Sequence, residues 1–374
     1  MAATLGKLKG HAWAGELPAR GSSIIVEPSG WVPQALRALR AASGPGVVVW
    51  AAALLTACHT GPHYPTVSGA WDAMGTIFSV AAWGRDSARL AGAVDHARDA
   101  VRLVASRFSV EDRNSELSRI NRTGRGDSLS AAFRAVLGLA LEVARRSEGA
   151  SDPTGHAWRR VRFDSAAAAV RIPRGTALDL DWIAKGYALD RALEALAGVA
   201  DSTVLTLGGQ YLIMTVPPRT AQAQTGRAVG VVDPSNTLAT LALIQVPPGT
   251  WAVSTTSTVE QPGLVANGVR TATALAHRAA LAMAWSAAFY ALRCDRALAL
   301  ASELDGVEVL CTDARTRWSP GLDGRVRTAS DSVATAGSAR GPAPEPAPVA
   351  GRGASDSTSR PSPPHSSRSN RRTS

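Results

Sequence analysis

A chain of 374 residues, 45% apolar and 19% charged, has the length for one large domain or two ordinary ones. That balance excludes a wholly disordered chain, a collagen and a small disulfide scaffold. The net charge of +10 is no nucleic-acid signature, because residues 1–57 carry a surplus of three positive charges and residues 331–374 another three. Only +4 is left for residues 58–330, scattered without a basic stripe, so nucleic acid is not an expected partner. The basic residues are 37 Arg and three Lys (Lys7, Lys9 and Lys185). Lys185 alone lies between the flanks, and a Lys kept where Arg is the rule reads either as a need for a compact ammonium or as chance.

The run Val47 to Ala57 is apolar and eleven residues long, too short for a spanning helix of about 20 residues. It reads as the core of an export signal within a leader over 1–57. Leu55-Thr56-Ala57-Cys58 ends it, and this resembles a bacterial lipobox in which Cys58 takes the lipid. Acyl chains at about 0.8 kcal/mol per buried methylene would then anchor the mature chain to the bacterial membrane, facing the periplasm or cell exterior. Residues 58–68, with Pro62 and Pro65, read as a polar tether.

Thr76–Ala81 has the β-branched and aromatic content of a strand. Leu90, Val94, Ala97, Val101, Val104 and Phe108 recur at helical spacing and predict one buried helix face. Ser130 is placed to cap a second helix that buries Phe133, Val136, Leu137, Ala140 and Ala144. A third helix is expected from about Ile183 to Leu196, with Asp181 as its cap. Strands are expected at Val204–Leu207, Val229–Val232, Leu241–Val246 and Trp251–Ser254, with a Pro247-Pro248-Gly249 turn between the last two. A fourth helix covers about Arg278 to Leu292, and Val307–Cys311 is a last strand. No regular βαβ period runs through this order, so the expected fold is α+β, a single mixed domain over 69–326. The tail 327–374 is rich in Ser, Pro, Gly, Ala and Arg without periodicity and is expected to be disordered. Cys294 and Cys311 either pair in an oxidising compartment or stay as two buried thiols, and both readings are open.

Four segments carry chemistry. Leu178-Asp179-Leu180-Asp181-Trp182-Ile183-Ala184-Lys185-Gly186-Tyr187 sets two carboxylates and an ammonium at a helix start, where free amides favour an anion. Leu205-Thr206-Leu207-Gly208-Gly209 ends a strand in two glycines, which admit close backbone approach to a ligand. Ser151-Asp152-Pro153-Thr154 is a turn, and Ala73-Met74-Gly75-Thr76 leads into the first strand. Singly, each reads equally as a cap, a strand turn, an Asx turn and a strand start.

Together with Ser115-Glu116-Leu117-Ser118-Arg119-Ile120-Asn121, Val231-Val232-Asp233-Pro234, Trp251-Ala252-Val253-Ser254-Thr255 and Ser319-Pro320-Gly321-Leu322, their order resembles the ApbE family of FAD:protein FMN transferases. That resemblance implies a magnesium-dependent transfer of FMN from FAD to a Thr of an acceptor flavoprotein, with release of AMP. The acceptor it implies is a flavoprotein subunit of a membrane redox complex. By family position, Met74, Phe108, Ala150, Ser151, Asp152, Asp179 and Lys185 are expected to line the FAD site, and the backbone oxygen of Trp182 to help hold the metal. The chain departs from the family pattern at four places, one being the loop from Phe108 to Ser115, which is longer than usual. Asp181 and Trp182 stand where two glycines are usual, and Met283 and Ala287 stand where a metal-binding Asp and Thr are expected. A His-x-x-Asp-Pro-x-Thr-Gly segment is replaced by Thr258–Arg270, which has no His and no Asp. A thioether is a poor donor to a hard cation, and losing a general base costs about 10²–10⁴ in rate. Two expectations follow: a transferase with a rebuilt metal site, Asp181 being one possible new ligand, or a flavin- or partner-binding lipoprotein without turnover.

Overall fold

The computed structural model describes residues 65–215, 227–257 and 268–328. The expected leader 1–57, Cys58, the start of the tether and the tail beyond Thr328 lie outside the described residues.

Two strands, β1 (Thr66–Ala73) and β2 (Thr76–Trp83), lead into α1 (Ser87–Phe108), α2 (Glu116–Thr123), β3 (Arg125–Gly126) and α3 (Ala131–Arg146). After β4 (Arg162–Asp164) and β5 (Ala169–Arg171) come α4 (Asp181–Leu196), β6 (Ser202–Leu207) and β7 (Gln210–Thr215). Then follow β8 (Arg227–Asp233), β9 (Asn236–Val246), β10 (Gly249–Ser257) and β11 (Thr271–Ala276). The order closes with α5 (Ala279–Ala291), α6 (Cys294–Ala301), β12 (Val307–Thr312), β13 (Thr316–Trp318) and β14 (Val326–Thr328). Helices and antiparallel strands mix without a βαβ repeat, as the α+β reading expects.

Three boundaries differ from the sequence reading. Residues 66–68, assigned to the tether, belong to β1, where Ser68 pairs with Ala81. Residues 327–328, assigned to the tail, pair with Leu243 and Ala242 of β9. Asp181 does not cap α4: it is the first helical residue, Leu180 precedes it, and no side chain caps the end. Its carboxylate turns along the helix to Lys185 instead.

The main sheet has eight antiparallel strands in the order β1-β2-β6-β7-β10-β11-β12-β13. Its alternation separates two cores. Leu212, Ala252 and Ala274 point to a helical layer formed with α1, α3, α4 and α5. Ile213, Val253, Leu275 and Leu310 point the other way, onto Val229, Val231, Ala242 and Ile244 of the three-stranded sheet β14-β9-β8. A third small sheet, β3-β5-β4, flanks α2 and α3.

Two helix backbones of this layer come close where α4 meets α5. Eleven of the thirteen residues of α5 are buried, so it is a core helix without a polar face. Gly186 faces its start so closely that a Cβ there would lie 2.6 Å from the Ala279 carbonyl oxygen and 2.7 Å from the Ala280 Cα. One turn further along α4, the buried Asp190 carboxylate accepts hydrogen bonds from the amides of Ala279 (2.6 Å) and Ala280 (3.2 Å). No side chain of its own segment caps α5, so a neighbouring helix satisfies its first amides. Burial pushes the Asp190 carboxyl above the usual carboxylate range, opposed by those amides and by Arg278. At the other end of the layer, Cys294 and Cys311 form a disulfide that ties the start of α6 to β12. That decides between the two cysteine readings.

Both contacts can be tested through stability. Gly186→Ala should lower the unfolding free energy by about 2 kcal/mol, because forcing apart two backbones outweighs the roughly 1 kcal/mol helix-propensity gain. A urea denaturation midpoint equal to or above wild type would show that the contact yields without cost. Replacing both Cys294 and Cys311 by Ser should lower stability by about 3 kcal/mol, the entropy expected for a loop of this size, 17 residues in separation. The check is the same titration on the oxidised wild type and the double variant.

Candidate functional site

One end of the main sheet gathers most of the residues the sequence singled out. The β1–β2 hairpin turns through Met74 and Gly75, at φ +51° and +72°. The β6–β7 hairpin turns through Gly208 and Gly209, at φ +61° and +80°. Positive φ at both central residues matches the right-handed twist of the flanking strands, and glycine adopts it freely. Since β2 pairs with β6 and Phe78 faces Leu207, the two turns lie side by side at the same edge. Gly208 is also a packing requirement. A Cβ there would meet Thr76 Cγ2 at 3.3 Å and the Lys185 Cδ at 3.9 Å.

Lys185 reaches this edge from α4. Its Nζ lies 2.5 Å from an Asp181 carboxylate oxygen one turn earlier, with the ammonium side chain 21% exposed and the carboxylate 46% exposed. Opposite charges at this spacing hold one another in place, and the half-open Asp181 leaves the ammonium accessible from outside. Asp179 precedes the helix and accepts a bond from the Asp181 amide at 3.2 Å. Its side chain keeps an exposed face, yet the protein packed around it pushes its carboxyl above the usual range. The Asp181 amide opposes that shift, the Asp181 carboxylate adds to it and Lys185 opposes it.

The segment carrying Asp179 is clamped from two sides. Asn121 donates from Nδ2 to the Leu178 carbonyl (2.9 Å) and accepts from the Leu178 amide (2.8 Å). The Asp179 amide donates to the Pro153 carbonyl at 2.7 Å, which joins the Ala150-Ser151-Asp152 turn to the site. Within that turn Asp152 accepts from the Thr154 amide and hydroxyl, both at 2.7 Å, and from the Trp158 amide at 3.3 Å. Asp152 therefore spends its carboxylate on shaping the loop, and Ser151 is buried beneath it.

Met74, the 150–152 turn, Asp179 and Lys185 thus belong to one connected rim. Phe108 stands apart, 1% exposed at the end of α1, with its ring 5.6 Å from that of Phe133 and nearly parallel to it. It belongs to the core beneath α1 and α3.

The residues expected at a metal do not assemble into one. Trp182 lies in the first turn of α4, where the helical pattern directs its carbonyl to the Gly186 amide. Met283 and Ala287 are buried on α5 and offer a thioether and a methyl. Between them, the Ser286 hydroxyl is committed to Ser254 (2.7 Å), Thr256 (3.0 Å) and the Met283 carbonyl (3.1 Å). Asp181 is engaged by Lys185. Among the described residues no three His, Cys, Asp or Glu side chains gather to hold a metal. The donor set present does not fit magnesium. The link Thr258–Arg270 is outside the described residues up to position 267.

Sequence reasoning missed four contributors. Asn121 sits in a segment read only as a motif, and its partner Leu178 is 57 residues away. Glu116 holds the Ser130 amide (2.8 Å) and hydroxyl (2.6 Å), so a carboxylate of α2 braces the cap of α3. Asp190 anchors α5 across the helix pair. Gln210, just after the glycine turn, is only 5% exposed. A carboxylate one turn after Gly186, on an otherwise apolar helix face, was the available signal for Asp190; Glu116 and Asn121 were signalled only as members of the Ser115–Asn121 motif, and Gln210 left no signal.

A family model, the ApbE family, matches residues 74–173 and 155–263. Among solved structures, the ApbE protein from Thermotoga maritima is 20% identical with a TM-score of 0.59, over 70% of this chain and 100% of that one. The flavin transferase ApbE from Vibrio cholerae is 17% identical with a TM-score of 0.58, over 70% and 99%. The Pseudomonas stutzeri flavinyl transferase ApbE, in its apo form, is 16% identical with a TM-score of 0.57, over 70% and 97%. At these identities the likeness shows a shared fold. No curated protein matches the chain. With that model matched over more than half of its length, the chain belongs to the ApbE family.

Proposed function

We propose that the chain binds FAD at the rim between the Met74 and Gly208 turns and transfers FMN from it to a Thr of an acceptor flavoprotein, releasing AMP. The observation that carries this reading is the convergence of Thr76, the Gly208-Gly209 turn and Lys185 at one sheet end. Lys185 supplies the positive charge that the pyrophosphate needs, and the first amides of α4 add theirs. The glycine turn lets the ligand approach backbone closely, and Asp179, joined to the 150–152 turn, lies beside Asp181 and through it beside Lys185. The magnesium implied by the family resemblance finds no fitting donor set here, so the reading routes no step through a metal.

The acceptor in this reading is a flavoprotein subunit of a membrane redox complex, and the chain itself is exported and lipid-anchored through Cys58. The Leu55–Cys58 lipobox supports the anchor, and the Cys294–Cys311 disulfide suits an oxidising compartment. No described helix is long and apolar enough to cross a membrane.

A second reading, a flavin-binding lipoprotein without turnover, is favoured by a specific observation. Met283 and Ala287 stand buried where the family is expected to place metal-binding oxygen. One assay separates the two. The chain is incubated with FAD, magnesium and an acceptor domain, and AMP and a flavin-bearing adduct are sought by chromatography and mass. Transfer is the outcome the first reading expects; FAD binding with neither product establishes the second. In either case Lys185→Ala should weaken FAD binding at least tenfold, as expected for losing a charged hydrogen-bond donor. Fluorescence quenching of the flavin measures it, and unchanged affinity would remove the ammonium from the site.

A further inference from the structure

Gln210 stands at the edge of the site with its hydrogen bonding incomplete. It is 5% exposed, and its Nε2 donates to the Thr255 carbonyl across the β7–β10 pair at 3.4 Å. A carbonyl can only accept, so the amide nitrogen is the end that faces Thr255. Gln210 Oε1 is thereby turned away from Thr255, and among the described residues it is shielded from solvent with no partner. An acceptor buried and unpaired is destabilising, and native folds keep one where something outside the chain completes it.

Its position says where that partner comes from. Gln210 directly follows the Gly208-Gly209 turn and pairs in register with Leu207, whose side chain belongs to the helix-facing core. Its own side chain therefore lies on the helix-facing side of the sheet, the side from which Lys185 approaches Gly208. Both neighbours in that direction are spent. The Ser254 and Thr256 hydroxyls are paired with Ser286. The missing donor therefore lies outside these side chains.

We propose that Gln210 reads the heterocycle of the nucleotide bound at this rim, its Oε1 accepting a hydrogen bond from a ligand N–H. This rests on the flavin-nucleotide reading of the site. FAD carries two groups of that chemistry, the imide N–H of the isoalloxazine and the exocyclic amine of adenine. FMN and AMP carry one each.

The test measures FAD, FMN and AMP binding by calorimetry, with thermal unfolding, on the wild type, Gln210→Leu and Gln210→Met. Both variants keep the bulk and remove the unpaired acceptor. The expected result is FAD binding weakened about tenfold, with the same loss for either FMN or AMP and none for the other. The unfolding temperature should be equal to or above wild type, because an unsatisfied buried group is gone. Affinities unchanged for all three ligands would overturn the proposal. So would a fall in unfolding temperature in both variants, which would make the amide a folding element only. A wild type that binds none of the three would instead overturn the flavin-nucleotide site itself.

Discussion

The candidate site depends on how closely α4 and α5 approach. Lys185 reaches the Gly208 turn from a helix whose next residue, Gly186, admits the backbone of α5 at close range. One turn on, Asp190 converts the same contact into a cap for α5. A single stretch of α4 thus does three things in six residues: it presents an ammonium outward, admits a neighbouring backbone, and binds that neighbour's free amides. Only a small residue between two charged ones satisfies all three. The sequence Lys-Gly followed by Asp at 190 is that arrangement.

Around this contact, the remaining motif residues act on one another more than on a ligand. Ser115 and Ser130 cap the starts of α2 and α3, and Glu116 links them. Asn121 and Pro153 hold the Leu178–Asp179 segment in place. These are positioning bonds, and they act together with the buried Leu178 and Leu180 to give the segment a defined path. The metal positions differ in kind. Met283 and Ala287 extend the apolar face of α5, which packs well and leaves the site without hard oxygen donors.

Elements with strong local signals were legible in the amino-acid order alone. The 4-3 spacing of Leu90 to Phe108 became α1, with each of those residues buried. Ser130 caps α3 as its position announced. What the sequence could not disclose were bonds between distant segments, such as Asn121 to Leu178 and Gln210 to Thr255, because side-chain amides have no periodicity. Asp181 misled for a related reason. A carboxylate just before a helical pattern reads as a cap, but a Lys four residues on competes for it, and the ion pair along the helix prevailed. The short α2 and the brief strands β13 and β14 carried too few residues for any period to register. The motif residues Met74, Asp179 and Lys185 gather towards one end of the sheet, while the pairing of Phe108 with Phe133 is a matter of packing that no motif encodes.

The pairing of β2 with β6 has a consequence for assembly. Ser79 and Thr206, whose hydroxyls meet at 2.6 Å, are 127 residues apart, whereas the disulfide closes over 17. The C-terminal edge can therefore organise from local contacts, but the β1–β2 ribbon must cross most of the domain to dock, a slow kind of closure. It then forms the outermost strands of the sheet. Because the Met74 turn belongs to the ribbon and the Gly208 turn to the sheet it docks on, a molecule gripped by both turns acts as a clasp. Its binding free energy adds to the docking of the ribbon, so site occupancy and completion of the fold are linked quantities.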